Sequence, residues 1–411
     1  MPNPLLLEKL ARLAVKTGVN VQKDQIVVLR TTTEAVELSR AVAKEAYKAG
    51  AKRVYFIWND EKISRYSYDY ATTEALAENP SFTIDQYKYF VEQGACFISI
   101  VSPVPHVLSG VDANKLNTVI STFTKAISFF REHTMGNKTQ WTIIAAANKD
   151  WAKELFPELD PEVGVEKLWD AIFKASRVSL DSDPVQVWET HNANLARQNK
   201  LLNDHNFKSL HFKNSLGTDL VVELIEDHVW AGGAEHAGNG AVFNPNIPTE
   251  ESFTMPYKFG TSGKVVATKP LSNNGQIIKN FWLEFKDGKV VDFDAEFEKE
   301  ALRQVLDFDA NSRYIGEIAL IPHDSPISNM NILFLNTLYD ENASCHMALG
   351  RAYPMNIKNG TSTPISELEK KGYNNSHVHV DFMFGSADME IVGTKQDGSK
   401  VIVFKNGNFV I

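Results

Sequence analysis

A chain of 411 residues with 43% hydrophobic and 23% charged residues has an ordinary globular composition and, at about 150 residues per domain, room for two or three domains. That balance excludes a disordered tail, a disulfide-stapled miniprotein and a fibrous repeat. The 42 basic against 51 acidic residues leave a net charge of −9, which argues against nucleic acid as a partner, because sequence-independent binding comes from Lys and Arg neutralising phosphates.

Asn3-Pro4-Leu5 opens the first predicted helix, with Asn as cap and Pro in the first turn, and Leu6, Leu10, Leu13 and Ala14 recur at helical spacing before Gly18 ends it. Glu8, Lys9 and Arg12 interrupt this stretch too early for a secretory signal. No run approaches the ~18 apolar residues of a membrane span. Cys96 and Cys345 are too few for a disulfide framework, so both are expected reduced and the chain is expected in the cytoplasm.

Ile26 to Leu29, Arg53 to Ile57, Ala95 to Val101 and Trp141 to Ala147 read as buried strands, separated by helical patterns such as Thr33 to Gly50 and Lys115 to Phe130. Buried strands interleaved with helices predict an α/β amino-terminal domain built on a mostly parallel sheet. No Gly-rich phosphate-binding motif follows any of them. A helix from Pro184 to Asn203 is expected to bridge to a second domain, with the boundary near residue 205, giving domains 1–205 and 206–411. The second domain reads as mainly antiparallel α+β. Asp287-Gly288 lies between Phe281 to Phe285 and Lys289 to Phe293, and Asn406-Gly407 lies between Val401 to Phe404 and Phe409 to Ile411; both are hairpin turns. The Gly-rich stretch Ala231 to Gly240 is expected to be a mobile loop, and Gly260 to Lys264 a turn.

Candidate chemistry concentrates in the second domain. In Ser376-His377-Val378-His379-Val380-Asp381-Phe382-Met383 the polar residues alternate with apolar ones, so His377, His379 and Asp381 share one face of a strand. That is either a metal-ligand arrangement or a polar face in which His and Asp exchange a hydrogen bond. Glu250 and Glu251 follow a proline-stiffened loop, read either as ligands or as a solvated acidic turn. Glu317 sits in an apolar strand, where a carboxylate is costly unless paired or metal-bound, or else marks an edge. Glu341 and His346 are close in sequence, and Cys345 between them is most simply a small buried hydrophobe.

Taken together, N-I-P-T-E-E at 246 to 251, R-Y-I-G-E at 313 to 317, E-N-A-S-C-H at 341 to 346, G-R-A-Y-P at 350 to 354 and H-V-D-F-M at 379 to 383 resemble the thermophilic aminopeptidase family of metallopeptidases, over essentially the whole chain. The resemblance implies a dinuclear site with Glu250, Glu317, His346, His379 and Asp381 as ligands and Glu317 as the bridge, with Glu341 also reaching a metal. Motif matching does not separate Glu250 from Glu251; whichever is not a ligand, provisionally Glu251, is the candidate general base. The family also implies peptide substrates and a homodimer.

Three carboxylates against two divalent ions, with carboxylate and imidazole donors that suit Zn, Co or Mn, give a charge tolerable in a cleft. Such ions would activate a shared water and polarise the scissile carbonyl, and holding the free amine would confine cleavage to the amino terminus. Tyr353 either donates to the oxyanion or is an ordinary packed tyrosine. His377 would orient a ligand from behind. Two competing readings stand beside this one: a metal-dependent amidase or deacylase acting on a non-peptide substrate, and a non-enzymatic metal-binding protein.

Overall fold

The computed structural model describes residues 2–273 and 276–411. They form two compact units, one of Met1–His191 with Ala234–Pro248 and one of Asn192–Gly233 with Thr249–Ile411. The single cut expected near residue 205 therefore does not divide them: the chain leaves the first unit within the helix Pro184–His205, and a later segment returns to it. Backbone pairing explains the return. Ile143 N–H donates to Pro245 O at 2.8 Å and Ile247 N–H to Ile143 O at 3.0 Å, so Asn246 bridges in parallel to Ile143.

In the first unit, β1 (Ile26–Thr32), β2 (Arg53–Asn59), β3 (Cys96–Val101) and β4 (Trp141–Ala145) form a sheet of order β2-β1-β3-β4. Every pairing is parallel, as the uninterrupted apolar runs predict. Val28 and Phe97 from the strands pack with Phe90 and Phe130 from the covering helices. The helices start where side chains can satisfy their free N–H groups: Asn3 accepts from Leu5 N–H, Asp60 from Lys62 and Ile63, and Asn148 from Trp151.

The second unit contains a large antiparallel sheet. Its hairpin of Gln276–Lys286 with Lys289–Phe297 turns at Asp287 (φ 50°) and Gly288 (φ 80°), both in the left-handed region a tight two-residue turn demands. Gly260 to Lys264 is no turn; it lies inside the strand Pro256–Val266.

A second antiparallel sheet positions the candidate site. Its strands are β5 (Ser252–Thr254), β6 (Ile315–Leu320), β7 (His346–Gly350) and β8 (His379–Met383), in the order β8-β7-β6-β5. Phe253, Ala319, His346 and Met383 lie opposite one another in one cross-strand row, Glu317, Ala348 and Asp381 in the next but one, and Gly350 opposite His379. Opposed residues share a face. The alternate residues Ile318, Leu320, Met347, Leu349 and Phe382 belong to the hydrophobic core, so one face of the sheet is core and the other carries the acids and imidazoles.

One irregularity makes this division possible. Ile315 pairs with Leu349 but Glu317 with Ala348, so β6 has one extra residue, Gly316. This is a bulge. In a regular strand Ile315 and Glu317 would share a face; here Ile315 joins the core while Glu317 turns away from it. A Cβ on Gly316 would lie 2.4 Å from the carbonyl oxygens of Gly350 and Arg351, which is why only glycine fits the bulge.

Gly350 is equally constrained, with φ at +99° and room for a Cβ only 2.3 Å from Val378 O. Gly350→Ala is expected to cost about 3 kcal/mol or more. Gly398→Ala, at a φ of +83° but with open space around the position, is expected to cost about 1 kcal/mol. Urea unfolding midpoints of the two variants check this; equal midpoints would contradict it.

Candidate metal centre

Two groups of potential ligands converge on the polar face of the β5–β8 sheet: Glu251, Glu317 and His346, and Glu317, His379 and Asp381, with the donor atoms of each group within 4.8 Å of one another. Glu317 is common to both. His346 Nε2 lies 3.3 Å from Glu251 and 3.5 Å from Glu317, and His379 Nε2 lies 3.5 Å from Glu317 and 3.3 Å from Asp381.

Backbone carbonyls fix both imidazoles. His346 Nδ1 is 2.9 Å from Glu341 O, and His379 Nδ1 is 2.7 Å from Arg351 O. A carbonyl oxygen can only accept, so each Nδ1 carries a hydrogen and each Nε2 is the atom turned to the carboxylates. The Nε2-to-oxygen separations exceed the 2.7–2.9 Å of charge-assisted hydrogen bonds. They match the spacing of about 3.4 Å between two donors that each lie about 2.1 Å from one tetrahedral ion. Asp381 Oδ1 is buried and makes no hydrogen bond. Donor chemistry, spacing and this orphaned oxygen all fit a divalent cation.

The electrostatics point the same way. Burial pushes the Glu317 carboxyl above its usual range, and neighbouring Asp381 and Glu251 add to that against the pull of the imidazoles. Burial acts on Asp381 too, but the adjacent His379 outweighs it and holds this carboxyl low. Burial alone would depress both histidines. Asp381 and Glu317 instead raise His379 to about 10, and the neighbouring Glu251 and Glu317 carboxylates hold His346 well above the ordinary value. Without a metal, the site therefore compensates its negative charge with protons.

Glu251 reaches the site because it stands two residues before Phe253 and so has the same parity as the site face. Glu250 has the opposite parity and enters neither ligand group among the described residues; its backbone N–H donates to Asn342 Oδ1 at 2.8 Å. The geometry thus brings in Glu251 where the sequence reading put Glu250. The Gly-rich segment expected to be a mobile loop holds Glu251 from behind. Ala231 and Phe253 exchange two backbone hydrogen bonds at 3.0 and 2.9 Å, and a Cβ on Gly232 would lie 2.1 Å from Glu251 O.

Glu341 lies outside both triplets but within their field: burial, Asp381 and Glu251 raise its carboxyl well above the usual range. The Tyr353 ring lies 4.8 Å from that of His379, and burial together with Glu317 and Asp381 keeps its hydroxyl protonated. His377 does not join the cluster; it is exposed, and its backbone N–H donates to Asp309 at 2.7 Å. Cys345 is a buried free thiol pushed up to about 11 by burial, with Sγ donating to Ile321 O. The sequence reading missed Phe253, whose ring lies 6.2 Å from that of Tyr353; the strand Ser252–Thr254 is too short to show a period.

Comparison with known proteins agrees with this chemistry. The description of the thermophilic metalloprotease (M29) family matches residues 5–409. The chain is 46% identical to aminopeptidase 2 of Geobacillus stearothermophilus, over 98% of this chain and 97% of that one. It is 43% identical to aminopeptidase AmpS of Bacillus subtilis, over 98% of each. The solved structure of wild-type AmpT from Thermus thermophilus superimposes with a TM-score of 0.93 at 36% identity, covering 99% of both chains. The chain belongs to the thermophilic metalloprotease (M29) family and is a hydrolase.

Proposed function

We propose that the protein is an aminopeptidase that releases amino-terminal residues from peptides with the help of two divalent ions. The observation that carries this reading is the pair of ligand triplets sharing Glu317. Glu251 and His346 would hold one ion, His379 and Asp381 the other, and Glu317 would bind both. Zn, Co or Mn suits this donor set. When bound, such ions acidify water and polarise a carbonyl oxygen.

The chain's own groups supply the rest. Glu341, expected from the sequence to be a ligand, stands outside both triplets and takes the place of Glu251 as the base: its carboxylate accepts the proton of the attacking water and passes it to the departing amine. Tyr353 donates its hydroxyl hydrogen to the scissile carbonyl oxygen as negative charge builds there. The substrate's free amine would be held at one ion or by a nearby carboxylate, which limits cleavage to the first peptide bond. Glu250 enters neither ligand group among the described residues and is given no part in the chemistry. The family resemblance extends the proposal to a homodimer in the cytoplasm, and the two buried free thiols suit a reducing compartment. No helix among the described residues is long and apolar enough to cross a membrane.

Three outcomes follow from these roles. Chelation abolishes release of nitroaniline from aminoacyl anilides and added divalent metal restores it, while Glu317→Gln loses both bound metal and at least about 10³ in rate; turnover of an N-acetylated peptide would instead favour the amidase reading. Tyr353→Phe keeps its metal and its KM but loses about 10²-fold in kcat. Finally, the two histidines are raised in the metal-free protein and must be neutral to ligate, so metal uptake expels protons and affinity weakens as pH falls from 8 to 5. Calorimetric binding heats at pH 7.5 should then change with the ionisation enthalpy of the buffer; heats independent of buffer would count against histidine ligation.

A further inference from the structure

The site face carries more than ligands. In the row Phe253–Ala319–His346–Met383, the small Ala319 leaves Phe253 standing beside the His346 position. Phe253 is half-buried on β5. Its ring meets Tyr353 edge to face at 6.2 Å and 73°, and the Tyr353 ring in turn lies 4.8 Å from His379. The two rings form an aromatic wall that runs along the ligand cluster. Ala348 and Gly350, at alternate positions along β7 on the same face as His346, add no bulk over the sheet.

A substrate whose amine is held at the ligand cluster and whose scissile carbonyl faces Tyr353 has its first α-carbon between those two points. Its side chain leaves from that carbon, beside the wall. An apolar side chain there removes its own surface and that of the Phe253 ring from water. A carboxylate there would lose hydration against an aromatic ring that offers it no hydrogen-bond donor and no positive charge.

We propose that Phe253 determines which amino-terminal residue is accepted: its ring is the surface against which that residue's side chain packs, and it selects leucine-like and phenylalanine-like residues. This rests on the aminopeptidase reading above.

The test compares kcat/KM for leucyl, alanyl, lysyl and glutamyl p-nitroanilides across the metal-replete wild type, Phe253→Leu and Phe253→Ala, with bound metal measured in each. The wild type is expected to favour leucyl over alanyl by about tenfold or more, with glutamyl lowest. Phe253→Ala should bring the leucyl-to-alanyl ratio down about tenfold, and Phe253→Leu, which keeps an apolar side chain and guards against a folding defect, by less. Both should retain the metal content of the wild type. A ratio unchanged in both variants, or a wild type that prefers lysyl or glutamyl to leucyl, overturns the inference while leaving the aminopeptidase reading intact. Failure of the metal-replete wild type to cleave any of the four overturns that reading and this inference with it.

Discussion

Carboxylates gathered on a buried surface repel one another and lose their hydration, and only positive charge relieves both penalties. Glu251, Glu317 and Asp381 lie in this position, with Glu341 nearby. The divergence between Glu317 and Asp381 shows how local the relief is. Glu317 is buried and Asp381 half-buried on one face, yet burial dominates at Glu317 while the imidazole beside Asp381 holds that carboxyl low. Protons on two histidines give partial compensation; divalent cations give it more completely and suit the observed spacing. The surrounding fold can be understood as the scaffold that keeps these groups together against their repulsion.

That scaffold is made of backbone. The carbonyl that aims His346 belongs to Glu341, and the one that aims His379 belongs to Arg351, two residues before Tyr353. The turns that orient the imidazoles thus also carry the proposed base and the proposed oxyanion donor, so ligand geometry and proton transfer are set together. Close approach is needed at each of these points, and glycine provides it. Gly316 lies against Arg351, Gly350 against Val378, and Gly232 against Glu251.

How far the site could be read from the sequence depends on how local each determinant is. His379 and Asp381 were legible because strand alternation is a two-residue pattern, and Glu317 because an acid in an apolar run demands a reason. The parallel sheet followed from uninterrupted apolar strands, and the hairpins from Asp-Gly and Asn-Gly pairs. The choice between Glu250 and Glu251 was not legible, since it turns on the parity of a three-residue strand that exists only through its pairing with β6 and Ala231. His377 matches the alternation, yet its backbone N–H is tied to Asp309 and its side chain stands exposed, which alternation alone does not encode. The Gly-rich stretch is largely irregular, as its composition suggests, but composition could not show that Gly232 and Gly238 mark close approach to other backbone. The division of the units was hidden for a similar reason: Asn246 joins β4 through hydrogen bonds between residues about a hundred positions apart.

That last pairing has a consequence for biosynthesis. Domains generally fold from the amino terminus as they leave the ribosome, but here the parallel sheet lacks the bridge from Asn246 to Ile143 until the chain up to Pro248 has emerged. By then the long helix and the first strands of the other unit have already been made. The amino-terminal half therefore waits, incompletely bonded along one edge, for a segment translated much later, and the two units acquire their final structure in overlapping rather than successive stages.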